Sequence, residues 1–244
     1  MGSAAALVAV SLLALLAAPV VAQTPPASLG RISQGASVQP GTPVCTGALV
    51  AADLVLTAAH CVRGAVNDPT RIRFHFGWRR DVAGRSLGPA DRRFFDLRHG
   101  VEVIVTEAPG GPGLAALAAD VALIRLNRLV MPDKVAPLAL TAPGRLPPLG
   151  TVFEVFGFDR QTPDQIGDKL TCRLTGVVPG LLGFDCPVVS GNSGAPVLLS
   201  SEAGWSVSAV MVAATTGAVR SWAVLPPDWL RDRVTAGNVS RAKH

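Results

Sequence analysis

Short apolar runs rich in β-branched residues recur along the chain, each separated from the next by Gly, Pro or Asp. Runs of this kind predict strands. They fall at 48–50, 54–57, 71–76, 101–106, 121–126, 151–158, 170–178, 195–199 and 205–214. Residues 170–175 alternate apolar and polar, which sets one face toward a core and the other toward water. Helix patterns are few. Residues 58–62 suffice for one turn, and 228–234, after Pro226-Pro227, predict a short terminal helix. Residues 23–44, rich in Gly, Pro and Ser, predict an extended lead-in. Many short strands with few helices predict an all-β sandwich or barrel. The Pro-rich stretch 142–149 reads as a connection between two halves, about 36–140 and about 150–225, with no visible internal repeat.

The amino terminus breaks this pattern. Residues 4–18 are apolar except Ser11, a stretch short of the ~20 residues of a membrane span. It suits the apolar region of a signal peptide over 1–22, with small residues at a cut after Ala22, although no Lys or Arg precedes it. Export with cleavage is the expectation, an uncleaved anchor the competing reading, and no membrane association is expected once the signal is removed. With 49% hydrophobic and 16% charged residues, disorder is excluded for the remainder. The net charge is +5, and among 22 basic residues only Lys134, Lys169 and Lys243 are lysines. Eight arginines lie between Arg71 and Arg98, read as a solvated surface loop or, more sharply, as an anion-binding one. No zinc-finger or basic-helix pattern supports nucleic-acid binding, so none is expected.

Four cysteines form two local sets, Cys45 with Cys61 and Cys172 with Cys186. In an exported chain two disulfides are the default. Three connectivities are possible, and the local one is favoured because each set flanks one strand-turn-strand pattern. A metal site is not expected: there is no C-x-x-C, no H-E-x-x-H and only four His. Nor is a cofactor. Asp159, Asp164, Asp168 and Asp185 scatter through loops without a calcium-loop pattern, and His75, His99 and the terminal His244 read as surface residues.

Three segments carry chemistry. In Leu54-Val-Leu-Thr-Ala-Ala-His60-Cys61 a strand delivers a His beside a Cys. In Asp120-Val-Ala-Leu-Ile-Arg-Leu126 an Asp stands at the mouth of an apolar strand. In Gly191-Asn192-Ser193-Gly194-Ala195-Pro196-Val197 glycines flank a Ser on a turn where backbone N–H groups can converge. Each alone reads as ordinary structure. Together, in the order His, Asp, Ser, they resemble the chymotrypsin-like (trypsin-fold) serine proteases over about residues 32–235. Cys45-Thr-Gly-Ala-Leu-Val followed by Thr-Ala-Ala-His-Cys looks most like the bacterial secreted members.

The resemblance implies two six-stranded antiparallel Greek-key β-barrels and a short C-terminal helix. Lead-in and first barrel would occupy 23–141, second barrel and helix 150–235. It implies His60 as general base, Asp120 as its orienting partner and Ser193 as nucleophile, with the backbone N–H groups of Gly191 and Ser193 as oxyanion hole. Cys45–Cys61 matches the family's disulfide behind the His, and Cys172–Cys186 would brace the second barrel. The implied activity is a secreted or periplasmic monomeric serine endopeptidase acting on protein or peptide substrates. A catalytically silent binding protein of the same fold is the alternative.

Two departures matter. Asn192 stands where the trypsin branch has an Asp that binds the ammonium of a cut zymogen. Arg31-Ile32 faintly resembles such a cutting site, but the expectation is an enzyme that folds active without it. Six residues before Ser193 stands Pro187, followed by Val188 and Val189, so a preference for basic side chains is not supported. The pocket wall is expected within 210–216, where small residues favour a small or medium apolar side chain. The acid-specific bacterial branch shares the G-N-S-G segment and remains open.

Overall fold

Six strands early in the chain pair into a cylinder. They are β1 (Leu29–Gln34), β2 (Cys45–Ala51), β3 (Leu54–Thr57), β4 (Ile72–Phe76), β5 (Asp96–Val105) and β6 (Ala122–Leu126). Their order is β1-β2-β3-β6-β5-β4, closed by antiparallel pairing of β1 with β4. The structure is a computed structural model that describes residues 24–35, 38–78, 85, 96–106, 112–144 and 146–239. The expected signal segment 1–22, His244, and Arg79, Arg80, Arg92 and Arg93 of the arginine-rich stretch lie outside the described residues. Among the described residues no helix is long and apolar enough to cross a membrane.

A two-residue strand β7 (Ala139–Leu140) leads into the second half. There β8 (Val152–Val155), β9 (Leu170–Val178), β10 (Leu181–Phe184), β11 (Pro196–Ser201), β12 (Gly204–Ala214) and β13 (Ser221–Val224) repeat the first topology. Their order β8-β9-β10-β13-β12-β11 closes through β11 with β8, and β7 joins as a parallel neighbour of β12. Two six-stranded Greek-key barrels thus exist without a legible sequence repeat. A short helix α1 (Leu114–Ala118) precedes β6, and α2 (Asp228–Val239) ends the described chain and buries Leu230 and Val234.

The barrels share a buried seam. Along β12, Ala209 and Met211 fill the second barrel, while Val207, Val210 and Val212 belong to the cluster continuous with the first. Side chains alternate between the faces of a strand, and here both faces are covered. That is why residues 209–214 of this strand read as an unbroken apolar run rather than as an alternation. Trp78 and Phe158 meet edge to face across the seam, ring centroids 5.2 Å apart. By contrast, Cys172 and Leu174 are buried between exposed Thr171, Arg173 and Thr175, the expected one-sided alternation.

The structure adds elements that the pattern did not predict. The lead-in contains β1, whose LGRISQ holds only two large apolar residues, yet it is buried because it pairs on both sides. The predicted strand 151–158 ends at Val155, and Phe158 instead makes an isolated bridge with Ile166. β5 starts at Asp96 rather than 101, and β7, β10, β13 and α1 are new. His75, expected on the surface, is half-buried in β4.

Candidate active site

The register of β3 on β6 fixes the first part of the site. Thr57, the last residue of β3, pairs with Ala122, the first of β6. Because the strands are antiparallel, the chain leaving β3 and the chain entering β6 emerge at the same rim. A 3₁₀ turn, Ala59–Cys61, follows β3 and carries His60, and Asp120 stands two residues before β6. Asp120 Oδ1 accepts the His60 backbone N–H at 2.7 Å, and Oδ2 lies 2.6 Å from His60 Nδ1. The carboxylate is largely buried, at 8% exposure, while the imidazole is open to solvent. The Cys45–Cys61 disulfide ties the His-bearing turn to the start of β2. Cys172–Cys186 joins β9 to the residues after β10. Both are the local pairings.

Ser193 arrives from the second barrel on the loop before β11. Its carbonyl accepts the backbone N–H of Thr46 in β2 at 2.8 Å, a direct bond between the barrels. The next residue is forced to be Gly. At φ +82°, a Cβ on Gly194 would lie 2.2 Å from both the Thr46 carbonyl oxygen and the Thr57 hydroxyl. Gly191, at φ +112°, would place a Cβ 2.6 Å from the Phe158 carbonyl oxygen. Both positions therefore exclude side chains by contact as well as by backbone conformation.

His60, Ser193, Gly191 and the Cys45–Cys61 bridge line one cleft of about 430 Å³ between the barrels, walled by Ile32, Gln34 and Val44. Within the Ser193 loop the amides of Asn192, Gly194 and Ala195 donate to Val189, Met211 and Asn192 carbonyls. The amides of Gly191 and Ser193 donate to no group among the described residues. Both residues line the cleft, and Ser193 is only half-buried. The imidazole, held at Nδ1 by Asp120, and the Ser193 hydroxyl line the same cleft without a hydrogen bond between them among the described residues, and two N–H donors there are free for a developing negative charge.

Cys45, His60 and Cys61 are the one cluster of metal-ligating side chains among the described residues, and both sulfurs are consumed by the disulfide. Of the scattered loop aspartates, Asp164 pairs with Arg31, Asp159 accepts the Gln161 amide, and Asp185 accepts the Arg173 amide. Pro187 and Val189 are exposed and Val188 is half-buried.

Arg31 and Ile32, the faint cutting site, lie inside β1. Arg31 pairs with Thr46 on one side and His75 on the other. Its side chain is buried, with Nη1 donating to the Pro163 carbonyl at 2.8 Å and to Asp164 at 2.6 Å. Asn192 is also buried; its amide donates to the Phe158 carbonyl at 2.9 Å and its Oδ1 accepts the Val189 N–H at 3.0 Å. Thr46 and Phe158, both central to this geometry, gave no functional signal in the sequence. The threonine lies there just ahead of the predicted strand 48–50, as one residue of the Cys45-Thr-Gly-Ala-Leu-Val segment.

A family model described as trypsin matches residues 23–180, a span that contains His60 and Asp120 and ends before Ser193. No curated protein sequence matches the chain. With two Greek-key barrels of identical strand order and a family match over more than half its length, this chain belongs to the trypsin family of serine proteases.

Proposed function

We propose that this protein is a secreted or periplasmic serine endopeptidase, released by cleavage after Ala22 and active without a cut after Arg31. The observation that carries the reading is the double grip of Asp120 on His60 at the rim of the cleft that also holds Ser193.

With Nδ1 engaged by the carboxylate, Nε2 is the imidazole nitrogen left to act as base. It takes the Ser193 hydroxyl proton as Oγ bonds to the substrate carbonyl carbon. The carbonyl π pair moves to oxygen, where the Gly191 and Ser193 N–H groups stabilise it. Each such donor is worth about 3 kcal/mol in the barrier. The oxyanion collapses, the C–N bond breaks, and the imidazolium gives its proton to the leaving amine. Water repeats the sequence on the acyl-enzyme and returns Ser193 to its starting form. Asp120 stays ionised, and stabilises the imidazolium through the Nδ1 bond.

An organophosphonate probe tests this directly. Folded, oxidised wild-type protein is expected to form one adduct, mapped by peptide mass to Ser193, and to lose peptide hydrolysis in parallel. Absence of labelling at Ser193 with the disulfides intact defeats the proposal.

A further inference from the structure

We infer that Thr46 is a positioning residue for the reaction proposed above: its buried hydroxyl links the Phe158 amide to the Gly191 carbonyl and so fixes the loop bearing the oxyanion donors. This rests on that proposal for its functional meaning, but its structural content stands separately.

Thr46 is fully buried, at 0% exposure. Phe158 N–H can only donate and Gly191 C=O can only accept, so the direction of the chain is fixed. Phe158 N–H donates to Thr46 Oγ1 at 2.9 Å, and Thr46 Oγ1–H donates to Gly191 O at 2.9 Å. Chains of this kind strengthen each member in a low-dielectric interior. The rest of Thr46 is equally committed. Its N–H donates to Ser193 O at 2.8 Å, and its carbonyl accepts the Thr57 hydroxyl at 2.8 Å. The Phe158 carbonyl takes the Asn192 side-chain amide. The loop therefore hangs from the backbone of one buried residue, Phe158, at two points, one direct and one through the Thr46 hydroxyl, and from the Thr46 amide of β2 at a third.

The effect on chemistry follows from peptide planarity. The Gly191–Asn192 peptide is held at its oxygen by Thr46 and at its nitrogen by the Val189 carbonyl, 3.0 Å away. A rigid plane held at both ends cannot rotate. The Gly191 and Ser193 N–H groups belong to the peptides on either side of that plane, and each of those is held at its own oxygen, Ser190 O by the Arg160 amide at 2.8 Å and Asn192 O by the Ala195 amide at 2.9 Å, so the central plane completes a run of three tethered peptides. Donors fixed before the reaction need no reorganisation during it. Every group in this clamp is present in the uncut chain. That gives a physical basis for a loop that takes its working shape without a newly formed amino terminus.

Thr46→Val keeps the shape of the side chain and removes the hydroxyl, while Thr46→Ser keeps the hydroxyl. Thr46→Val is expected to lower kcat for a peptide amide by at least about tenfold, with KM within about twofold, because the loss falls on the transition state. In ¹⁵N-labelled protein the Asn192 and Gly194 amides of Thr46→Val are expected to exchange with solvent at least about tenfold faster, while β9 amides keep wild-type rates. Thr46→Ser is expected to recover most of both. Wild-type exchange in Thr46→Val overturns the inference, as does failure of Thr46→Ser to recover either readout. If Thr46→Val does not fold, Thr46→Ala, which also removes the hydroxyl, carries the same two measurements. A wild-type protein that hydrolyses nothing overturns the proposed function, and the exchange rates then decide the structural claim alone.

Discussion

Asp120 holds His60 through both carboxylate oxygens, one on the backbone N–H at 2.7 Å and the other on Nδ1 at 2.6 Å. The first bond fixes where the turn sits and the second fixes which ring nitrogen is protonated. Asp120→Asn separates these roles, since a carboxamide oxygen can still accept the backbone N–H. The expected outcome is a fall in kcat of about 10⁴ through loss of the correct tautomer, with the melting temperature nearly unchanged. Steady-state hydrolysis of a peptide amide beside a thermal melt checks it. A drop in kcat below about tenfold contradicts the orienting role.

The two disulfides close loops of nearly equal separation, 16 and 14 residues. In the chain-entropy model each stabilises by about 3 kcal/mol. Only Cys45–Cys61 is attached to the turn that carries His60. Replacing both cysteines of either bridge by Ala is therefore expected to lower stability similarly. The Cys45/Cys61 pair is expected to lose hydrolytic activity in addition. Urea melts with activity assays at a temperature where both variants are folded separate the two effects. Equal activity in the two variants tells against a positioning role for the first bridge.

Burial, and then the Arg31 guanidinium beside it, push the His75 imidazole from 6.5 down to about 4. Arg73 and His99 act in the same direction and Asp164 opposes them. Between these pH values the unfolded chain binds a proton that the folded chain refuses. Stability contributed by neutral His75 is thus present above about pH 6.5 and is lost as pH falls toward about 4. Allowing for partial exposure, the loss is about 1–2 kcal/mol. The urea midpoint of His75→Gln is expected to drop less between pH 7 and about pH 4.5 than that of wild type. Identical drops remove His75 from the account.

The Arg31–Ile32 peptide lies inside a strand bonded on both sides, and a protease needs an extended, accessible segment there. Active protein is expected to begin upstream of Leu29. Amino-terminal sequencing of phosphonate-labelled protein checks this. Labelled chains that start at Ile32, with longer chains unlabelled, show that a cut is required after all.

Pro187, Val188 and Val189 carry no carboxylate, and β12 ends in Ala213-Ala214. A peptide-library profile is expected to favour small or medium apolar side chains before the cleaved bond. Dominant cleavage after Glu or Asp assigns the enzyme to the acid-specific type, and cleavage after Lys or Arg contradicts the reading of Pro187.

The chemistry-bearing segments were legible in the sequence as a set. His60 beside Cys61, Asp120 ahead of an apolar strand and Ser193 between glycines each read alone as ordinary structure, and their order along the chain is what made them stand out together. Most strands were legible for a local reason, as Cys172 and Leu174 show by alternating with polar neighbours. β1 was not, because Arg31 and Ser33 are buried only by partners far along the chain. The roles of Thr46, Asn192 and Phe158 were decided by tertiary structure alone. Thr46 and Gly191 are 145 residues apart, and a hydroxyl becomes a strut only when two barrels close around it and remove the water it would otherwise bind.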